Sequence, residues 1–164
     1  MRMDVEKDLA GIAAQEQALQ FDQFGAEMAW RIGCALRSRA LRGDRPMSFE
    51  IQVAGRVLFY AATEGAPAGQ ADWIRRKRNT VMRFGQSSYA VGLKLQRDGQ
   101  TLEAPHGLAA AEYAAHGGGF PVVLRGTGLV GTIIASGLPQ REDHALVVAV
   151  LAEVLGVDVP LLEP

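Results

Sequence analysis

The spacing of apolar residues changes between the first part of the chain and the segment that follows it. Apolar positions recur every third or fourth residue over 4–19 and 22–42, which predicts two amphipathic helices. The second helix ends where "LRGDRP" brings in glycine and proline. Alternating apolar residues then occupy 49–53, and a further apolar run occupies 57–60. With Ala-Gly at 54–55 between them, these two runs predict a β-hairpin.

Helical and alternating patterns continue through the rest of the chain. They predict, in order, a helix over 71–84, a second helix after Gly85, a loop over 98–106, a short alanine-rich helix over 107–116, a hairpin of 120–125 with 129–135, and a closing helix over 139–155 that ends at Gly156. No internal repeat or linker divides the sequence. The order predicts one α+β domain over 1–164, an antiparallel sheet flanked by helices.

Composition and charge narrow the class of partner. The 164 residues are 48% hydrophobic and 21% charged, and the net charge is −1, which gives no electrostatic reason to expect nucleic acid or an anionic membrane. No apolar run reaches the roughly 20 residues that span a bilayer, and no signal-peptide core is evident. The one cysteine, Cys34, falls in an apolar helical run. We therefore expect a buried thiol and a cytoplasmic protein.

The motif "GTGLVG" at 126–131 matches the dinucleotide-binding pattern G-x-G-x-x-G. That pattern binds pyrophosphate only when its glycines open a helix. Here the β-branched run 132–134 follows, which favours a strand. We therefore interpret the glycines as a hairpin turn plus one strand position that other groups approach closely.

The motif "HGGG" at 116–119 resembles the oxyanion loop of lipases and esterases. Those enzymes also carry a G-x-S-x-G nucleophile elbow, which this sequence lacks. A triad of Ser136, Asp143 and His144 is disfavoured because adjacent residues of one helix point in different directions. The glycines are consistent with an anion-binding nest or with a strained loop before a strand, and both interpretations remain open. No set of metal-ligating residues lies near His116 in sequence, so no metal site is predicted.

One charged residue in the run "WIRRKRNTVMRF" is not explained by helical periodicity. Most of its polar side chains fall away from the apolar stripe, as on a solvated face: Arg75, Arg76, Asn79 and Arg83. Lys77, however, lies inside the apolar arc, and Trp73 lies at its margin. Such a lysine extends its ammonium to the surface, pairs with a carboxylate, or faces a pocket or another subunit. Lys77 is therefore a candidate site residue.

The closing helix begins with acidic residues at its positive end. Glu142 and Asp143 lie in the first turn, where their negative charges interact favourably with the positive end of the helix dipole. His144 follows near the entrance of this helix, one predicted strand away from the loop of His116. Whether the two histidines share a pocket is left open by the sequence.

Three segments together resemble a known family: "WIRRKRNTVMRFGQSS", "AAHGGGFPV" and "GTIIASGLPQREDHALVV". They are similar to the heme-degrading-domain superfamily, which includes a streptomycete extracellular heme-binding protein, the GlcG proteins and the carboxy-terminal domain of PduO-type adenosyltransferases. The similarity extends over nearly the whole chain. It implies a profilin-like fold with a five-stranded antiparallel sheet, and homo-oligomers built from dimers. The resemblance also implies which positions form the family's site. Carried over to this sequence, these candidate site residues are Trp73, Lys77, Ser87, Ser88, His116, Gly117, Gly118, Gly119, Phe120, Pro121, Ser136, Gly137, Asp143 and His144.

Three functions follow as hypotheses. In the first, the chain is a cytosolic small-molecule binding protein, with heme or another tetrapyrrole as cofactor, and its pocket contains the glycine loop, His116, His144, Lys77 and Trp73. In the second, the chain is a non-catalytic oligomeric interaction or scaffold protein, with Lys77, Trp73 and His144 buried at subunit contacts and a glycine loop that only allows close packing. In the third, the chain is a hydrolase, which requires Ser136 or Ser87 to lie within hydrogen-bond reach of a histidine. A concave site where His116 and Lys77 meet favours the first.

Overall fold

The computed structural model describes residues 4–164. In that range the chain forms five helices and four strands: α1 Val5–Ala18, α2 Ala26–Arg42, β1 Ser48–Val53, β2 Arg56–Ala62, α3 Gly69–Phe84, α4 Ser88–Asp98, β3 Gly119–Leu124, β4 Gly128–Ser136 and α5 Gln140–Leu155. Helices α1, α2, α3 and α5 and both hairpins confirm the elements that periodicity predicts. Helix α4 confirms the second helix expected after Gly85. The α+β class is therefore confirmed.

The two hairpins join into one antiparallel sheet with the strand order β2-β1-β4-β3. The first turn is formed by Ala54 and Gly55, both with positive φ, as predicted. Gly126 and Gly128 have positive φ in the second turn, which confirms that "GTGLVG" forms a hairpin. The third glycine of that motif, Gly131, lies in β4, and a Cβ there would overlap the backbone oxygen of Gln52. Close approach of a neighbouring strand therefore excludes any side chain at this position.

The expectation of five strands is wrong for the described residues, in which the sheet has four. At the free edge of β3, one further residue among 4–164 pairs with this strand. Phe21 forms an isolated parallel bridge with Leu124: its N–H donates to Val123 O at 2.9 Å, and its carbonyl accepts from the N–H of Arg125 at 2.9 Å. Because the chain enters α2 a few residues later, this contact does not extend into a strand.

The sheet lies between two unequal layers of helices. Helices α2 and α5 cover one face, and the main core there is built from fully buried side chains of both layers, such as Ile32, Phe49, Ile133 and Leu151. Helix α3 covers the other face, where Ile74 and Val81 pack on Ile134. Successive residues of β4 therefore face opposite layers, as the pleat requires. Helix α1 packs beside α4 at the edge of the α3 layer.

The alanine-rich helix predicted over 107–116 is absent; the chain there forms turns and loop. Side chains of helix α3 donate hydrogen bonds to backbone oxygens of this segment, in place of the bonds that a helix would have formed within itself. Arg75 and Arg76 donate to the carbonyl oxygens of Ala111 and Ala110, and Asn79 donates to that of Glu112. The expectation that these three side chains of α3 lie on a solvated face is therefore wrong, because they bind the loop.

The expectation of a buried thiol is also wrong. Cys34 is exposed on the outer side of α2, although it lies in an apolar run. Its neighbour Trp30 is exposed on the same helix and packs edge-on against Phe59 of β2. The core side of α2 is instead formed by Ala29, Ile32 and Leu36. No helix within residues 4–164 combines the length and apolar composition that crossing a membrane requires.

Candidate functional site

A cavity of about 420 Å³ opens where the start of α3, the end of β4 and the start of α5 meet the glycine loop. We call it the His116 cavity. Its lining includes six of the residues marked by family resemblance: Trp73, Lys77, His116, Ser136, Gly137 and Asp143. The structure thus brings together side chains that lie far apart in sequence, and Lys77 and His116 converge on one concave site.

At the base of the cavity, Lys77 and Asp143 form a buried ion pair. The Nζ atom of Lys77 donates to Asp143 Oδ2 at 3.1 Å and to the backbone oxygen of Ala135 at 3.0 Å. Only 3% of Lys77 and 2% of Asp143 are exposed. Lys77 therefore pairs with a carboxylate at the wall of a cavity and does not extend its ammonium to the surface.

Backbone donors hold the Asp143 carboxylate in place. Its Oδ1 atom accepts from the N–H of Leu138 at 2.9 Å, and Oδ2 accepts from the N–H of Gly137 at 3.4 Å. These donors precede α5, so Asp143 closes the entrance of its own helix. The turn and the ion pair are thereby one hydrogen-bonded unit.

Burial moves both pKa values of the pair toward neutrality. Removal from water lowers the pKa of the Lys77 ammonium, and the charge of Asp143 opposes that shift only in part. Burial likewise raises the pKa of Asp143, against the attraction of Lys77 and the hydrogen bonds of Leu138 and Gly137. The two shifts together reduce the free-energy difference between the charged pair and a pair in which the proton has moved to the carboxylate.

His116 lines the cavity and is exposed to solvent. Its ring meets the Trp73 ring edge-to-face, with the centroids 5.1 Å apart. The guanidinium of Arg76 lies over the Trp73 ring at 4.6 Å from the centroid. Partial burial lowers the pKa of His116, and the nearby charges of Lys77 and Arg76 lower it further. The imidazole is therefore neutral at pH 7 and has a nitrogen lone pair available.

The three glycines after His116 allow the loop to pack against its neighbours. A Cβ at Gly117 would overlap the backbone oxygen of Gln140, and one at Gly118 would overlap that of Ala135. A Cβ at Gly119 would lie 2.8 Å from a methyl carbon of Val81. The strained-loop interpretation of "HGGG" is therefore supported by the structure, because close packing on three sides leaves no room for side chains.

Two of the three glycine N–H groups already have partners, which leaves no complete anion-binding nest. Gly117 donates to Gln140 Oε1 at 3.2 Å, and Gly119 donates to Ser88 Oγ at 2.9 Å. Ser88 in turn donates to the backbone oxygen of His116 at 2.5 Å. Ser88 therefore holds the glycine loop in position through these two hydrogen bonds. Ser87 instead caps α4 by accepting from the N–H of Ala90.

His144 does not share the cavity of His116, so the open question of a shared pocket has a negative answer. Its ring is buried between α1 and α4, with the Tyr89 centroid at 5.3 Å and the Phe120 centroid at 6.2 Å. Because Gln15 Nε2 donates to the oxygen of Pro160, Gln15 Oε1 is the acceptor for the Nε2–H of His144, at 2.8 Å. Adjacent residues of α5 therefore point to opposite sides of the helix. Asp143 lines the cavity, whereas His144 packs against α1.

We expect His144 to make the stability of the protein depend on pH. Burial lowers its pKa to about 4 from 6.5, and the charge of Arg141 adds to the effect. Since the unfolded chain binds a proton that the folded ring rejects, the contribution is complete above about pH 6.5 and is lost as the pH falls toward 4. The loss amounts to about 3 kcal/mol. Urea unfolding of the protein and of His144→Gln between these pH values measures it.

All other titrating groups are common to the two proteins, so the difference between their pH profiles isolates His144. The variant should show the flatter profile, because glutamine does not titrate. Parallel profiles would contradict the assignment of a neutral buried imidazole.

Sequence reasoning missed several residues that line the cavity. Gln70 of α3 donates to the oxygen of Pro46 and accepts from Ser48, which holds the start of α3 against β1. Gln140 holds the glycine loop through Gly117, and Leu138 contributes an apolar wall. Glutamine near a helix start is too common to indicate a site, so no local signal marks these positions.

The match to a family model decides the family. The model for "Haem degrading protein HbpS-like" matches residues 24–152. The chain belongs to this HbpS-like family. The matched range contains every residue of the His116 cavity, and the match confirms the predicted resemblance to the heme-degrading family.

Individual relatives extend this similarity over most of the chain. A UPF0303 protein of Rhizobium meliloti (strain 1021) is 50% identical over 158 residues, covering 95% of each chain. The crystal structure of the Ybr137w protein superposes with a TM-score of 0.83 at 27% identity, covering 90% of this chain and 87% of that one. The structure of the PduOC:Heme complex has a TM-score of 0.64 at 17% identity, with 82% and 95% covered, and it shows a shared fold.

Proposed function

We propose that this HbpS-like chain binds a small molecule in the His116 cavity. The observation that carries the proposal is the convergence of Trp73, Lys77 and His116 on one concave site. Its volume, about 420 Å³, lies within the range of roughly 300–1,000 Å³ that ligand sites occupy. The lining also has the usual composition of such sites, a mainly apolar wall with a few fixed polar groups.

Heme is the ligand that we propose first. The donor set fits it: His116 offers a neutral imidazole for the iron, Trp73 offers an aromatic wall, and Arg76 beside Trp73 offers a cation for a propionate. The ammonium of Lys77 is already paired with Asp143, so it is not needed for a propionate. Heme, when bound, would supply the iron and its redox chemistry. The description of the family as haem-degrading and the heme complex of PduOC support this choice of ligand.

The structure provides less support for the two other hypotheses. The scaffold hypothesis predicts no pocket around His116, and a cavity is present there. The hydrolase hypothesis needs a serine hydroxyl bonded to a histidine ring. Within residues 4–164 the hydroxyl of Ser87 caps α4, and neither it nor that of Ser136 makes a hydrogen bond to a histidine ring.

We also propose that residues 1–164 form one domain of profilin-like fold, that the protein is cytoplasmic, and that it assembles into homo-oligomers of at least two chains. An exposed apolar surface on α2 and β2 supports self-association, since it includes Trp30, Val57 and Tyr60. Strand β2 is also an edge of the sheet, with unpaired backbone groups. The net charge of −1 supports the absence of nucleic-acid and membrane partners.

A hemin titration followed by absorbance tests the proposed ligand. We expect a saturable shift of the Soret band at about one heme per chain, since His116 supplies the axial nitrogen. His116→Ala should weaken binding by at least about tenfold, because a nitrogen ligand is lost. His106→Ala is the matched control, since His106 lies outside the cavity and packs against Phe84.

Saturation of the wild type with normal binding by the His106 variant and weak binding by the His116 variant supports the proposal. Absorbance that never saturates, or equal binding by the His116 variant, contradicts it. The scaffold hypothesis would then be the better account.

A further inference from the structure

We propose that Lys77 captures small aldehydes or ketones in the His116 cavity as an imine on its Nζ atom, with Asp143 transferring the proton. The inference rests on one part of the proposed function, that the cavity admits small molecules, and it does not require heme. It assigns covalent chemistry to the ion pair at the base of the cavity.

The geometry is that of a nucleophile with its own oriented base. Lys77 Nζ lies 3.1 Å from the Asp143 carboxylate, which is fixed in turn by the N–H groups of Leu138 and Gly137. A nucleophile within hydrogen-bond reach of a base that a third group orients is the common arrangement of covalent catalysis. An ion pair with only a structural role has no reason to line an open cavity, yet both residues line this one.

The position of the amine further suits this chemistry. Asp143 and the backbone oxygen of Ala135 accept two of the three N–H groups on Nζ, and within residues 4–164 the third has no hydrogen-bond acceptor. Gly118 lies against the same atom, since a Cβ there would be 2.8 Å from Nζ. The glycine loop therefore leaves the amine the space that a side chain would have taken.

The reaction balances without an added oxidant or reductant. The ammonium of Lys77 first gives a proton to Asp143, and rotation about the Cε–Nζ bond turns the freed lone pair toward the cavity. The lone pair then forms a C–N bond to the carbonyl carbon as the C=O π pair moves to oxygen. Proton transfer through Asp143 converts that oxygen to a hydroxyl and then to water, which leaves as the C=N bond forms. The lowered pKa of Lys77 and the raised pKa of Asp143 make the first proton transfer less costly.

The walls indicate the class of carbonyl compound. The charges of Lys77 and Asp143 cancel, so nothing at the base of the cavity selects for a charged substrate. Leu138 and Trp73 provide apolar surface above the pair. A small uncharged aldehyde or ketone with an aliphatic or aromatic substituent fits these walls.

Reductive trapping tests the proposal. The folded protein is incubated with propionaldehyde and sodium cyanoborohydride, and the modified lysines are identified by peptide mass spectrometry. The chain has three lysines, so Lys7 and Lys94 serve as internal controls. We expect Lys77 to react at least about tenfold faster than Lys94, with a rate that saturates with aldehyde, although it is far more buried. Reaction of Lys77 at or below the rate of Lys94 would overturn the proposal.

Asp143→Asn should slow modification at Lys77 and leave Lys94 unchanged. Because this change also weakens the fold, the pH dependence of labelling in the unaltered protein is the second measurement. Labelling of Lys77 that reaches half its maximum at a lower pH than that of Lys94 supports the proposal; the same pH dependence for both lysines overturns it.

A third arm separates this inference from the proposed function. Hemin binding with an unreactive Lys77 overturns the imine and leaves heme binding in place. Rapid labelling of Lys77 without a Soret shift does the reverse. Slower labelling of Lys77 in the presence of hemin supports both and shows that they use the same cavity.

Discussion

Replacing Asp143 by alanine should lower the free energy of unfolding by about 3–5 kcal/mol, measured by urea denaturation at pH 7. The ammonium of Lys77 is 3% exposed and would remain buried without its counter-charge. The N–H groups of Leu138 and Gly137 would also lose their acceptor. Since removing one partner of a buried pair costs more than removing both, Lys77→Met with Asp143→Ala should be less destabilising than Asp143→Ala alone.

An exposed ion pair provides the control for this experiment. Asp22 contacts Arg125 at 2.8 Å, but its side chain is 84% exposed. Asp22→Ala should therefore leave the denaturation midpoint nearly unchanged, because solvent screens such pairs. An equally small loss for Asp143→Ala would contradict the buried pair and would mean that Lys77 reaches water when its partner is removed.

Gly118→Ala should be the second strongly destabilising change, with a loss of about 3 kcal/mol or more in the free energy of unfolding. The residue has a φ of +124°, which L side chains rarely adopt. Its new Cβ would also overlap the backbone oxygen of Ala135, which cannot move without disturbing β4. In addition it would press on the amine of Lys77, so heme and aldehyde binding should weaken together.

The control separates backbone strain from overlap. Gly126 also has a positive φ, of +78°, but a Cβ there would meet nothing within 4 Å. Gly126→Ala should therefore cost only about 1–2 kcal/mol. Similar losses for the two variants would show that Gly118 is needed for its φ alone, and that the loop has room for a side chain.

The elements of this fold follow from local patterns. Helix α2 and the hairpin of β1 and β2 are visible in the spacing of apolar residues, because a period near 3.6 or of 2 depends only on neighbours along the chain. The strand after "GTGLVG" is likewise indicated by its β-branched residues. Local patterns also showed Lys77 to be exceptional, since a charge inside an apolar arc needs a partner or a pocket.

The identity of that partner was beyond any local pattern. Asp143 is 66 residues from Lys77, and only the packing of α3 and α5 at the end of β4 brings them to 3.1 Å. The same packing separates His116 from His144. The loop over 107–116 shows the converse effect: its alanines favour a helix, but α3 offers hydrogen bonds from Arg75, Arg76 and Asn79. Periodicity thus determined most of the helices and strands, although it was wrong about Cys34 and the segment 107–116. Long-range contacts, which no neighbouring residues encode, decided the site.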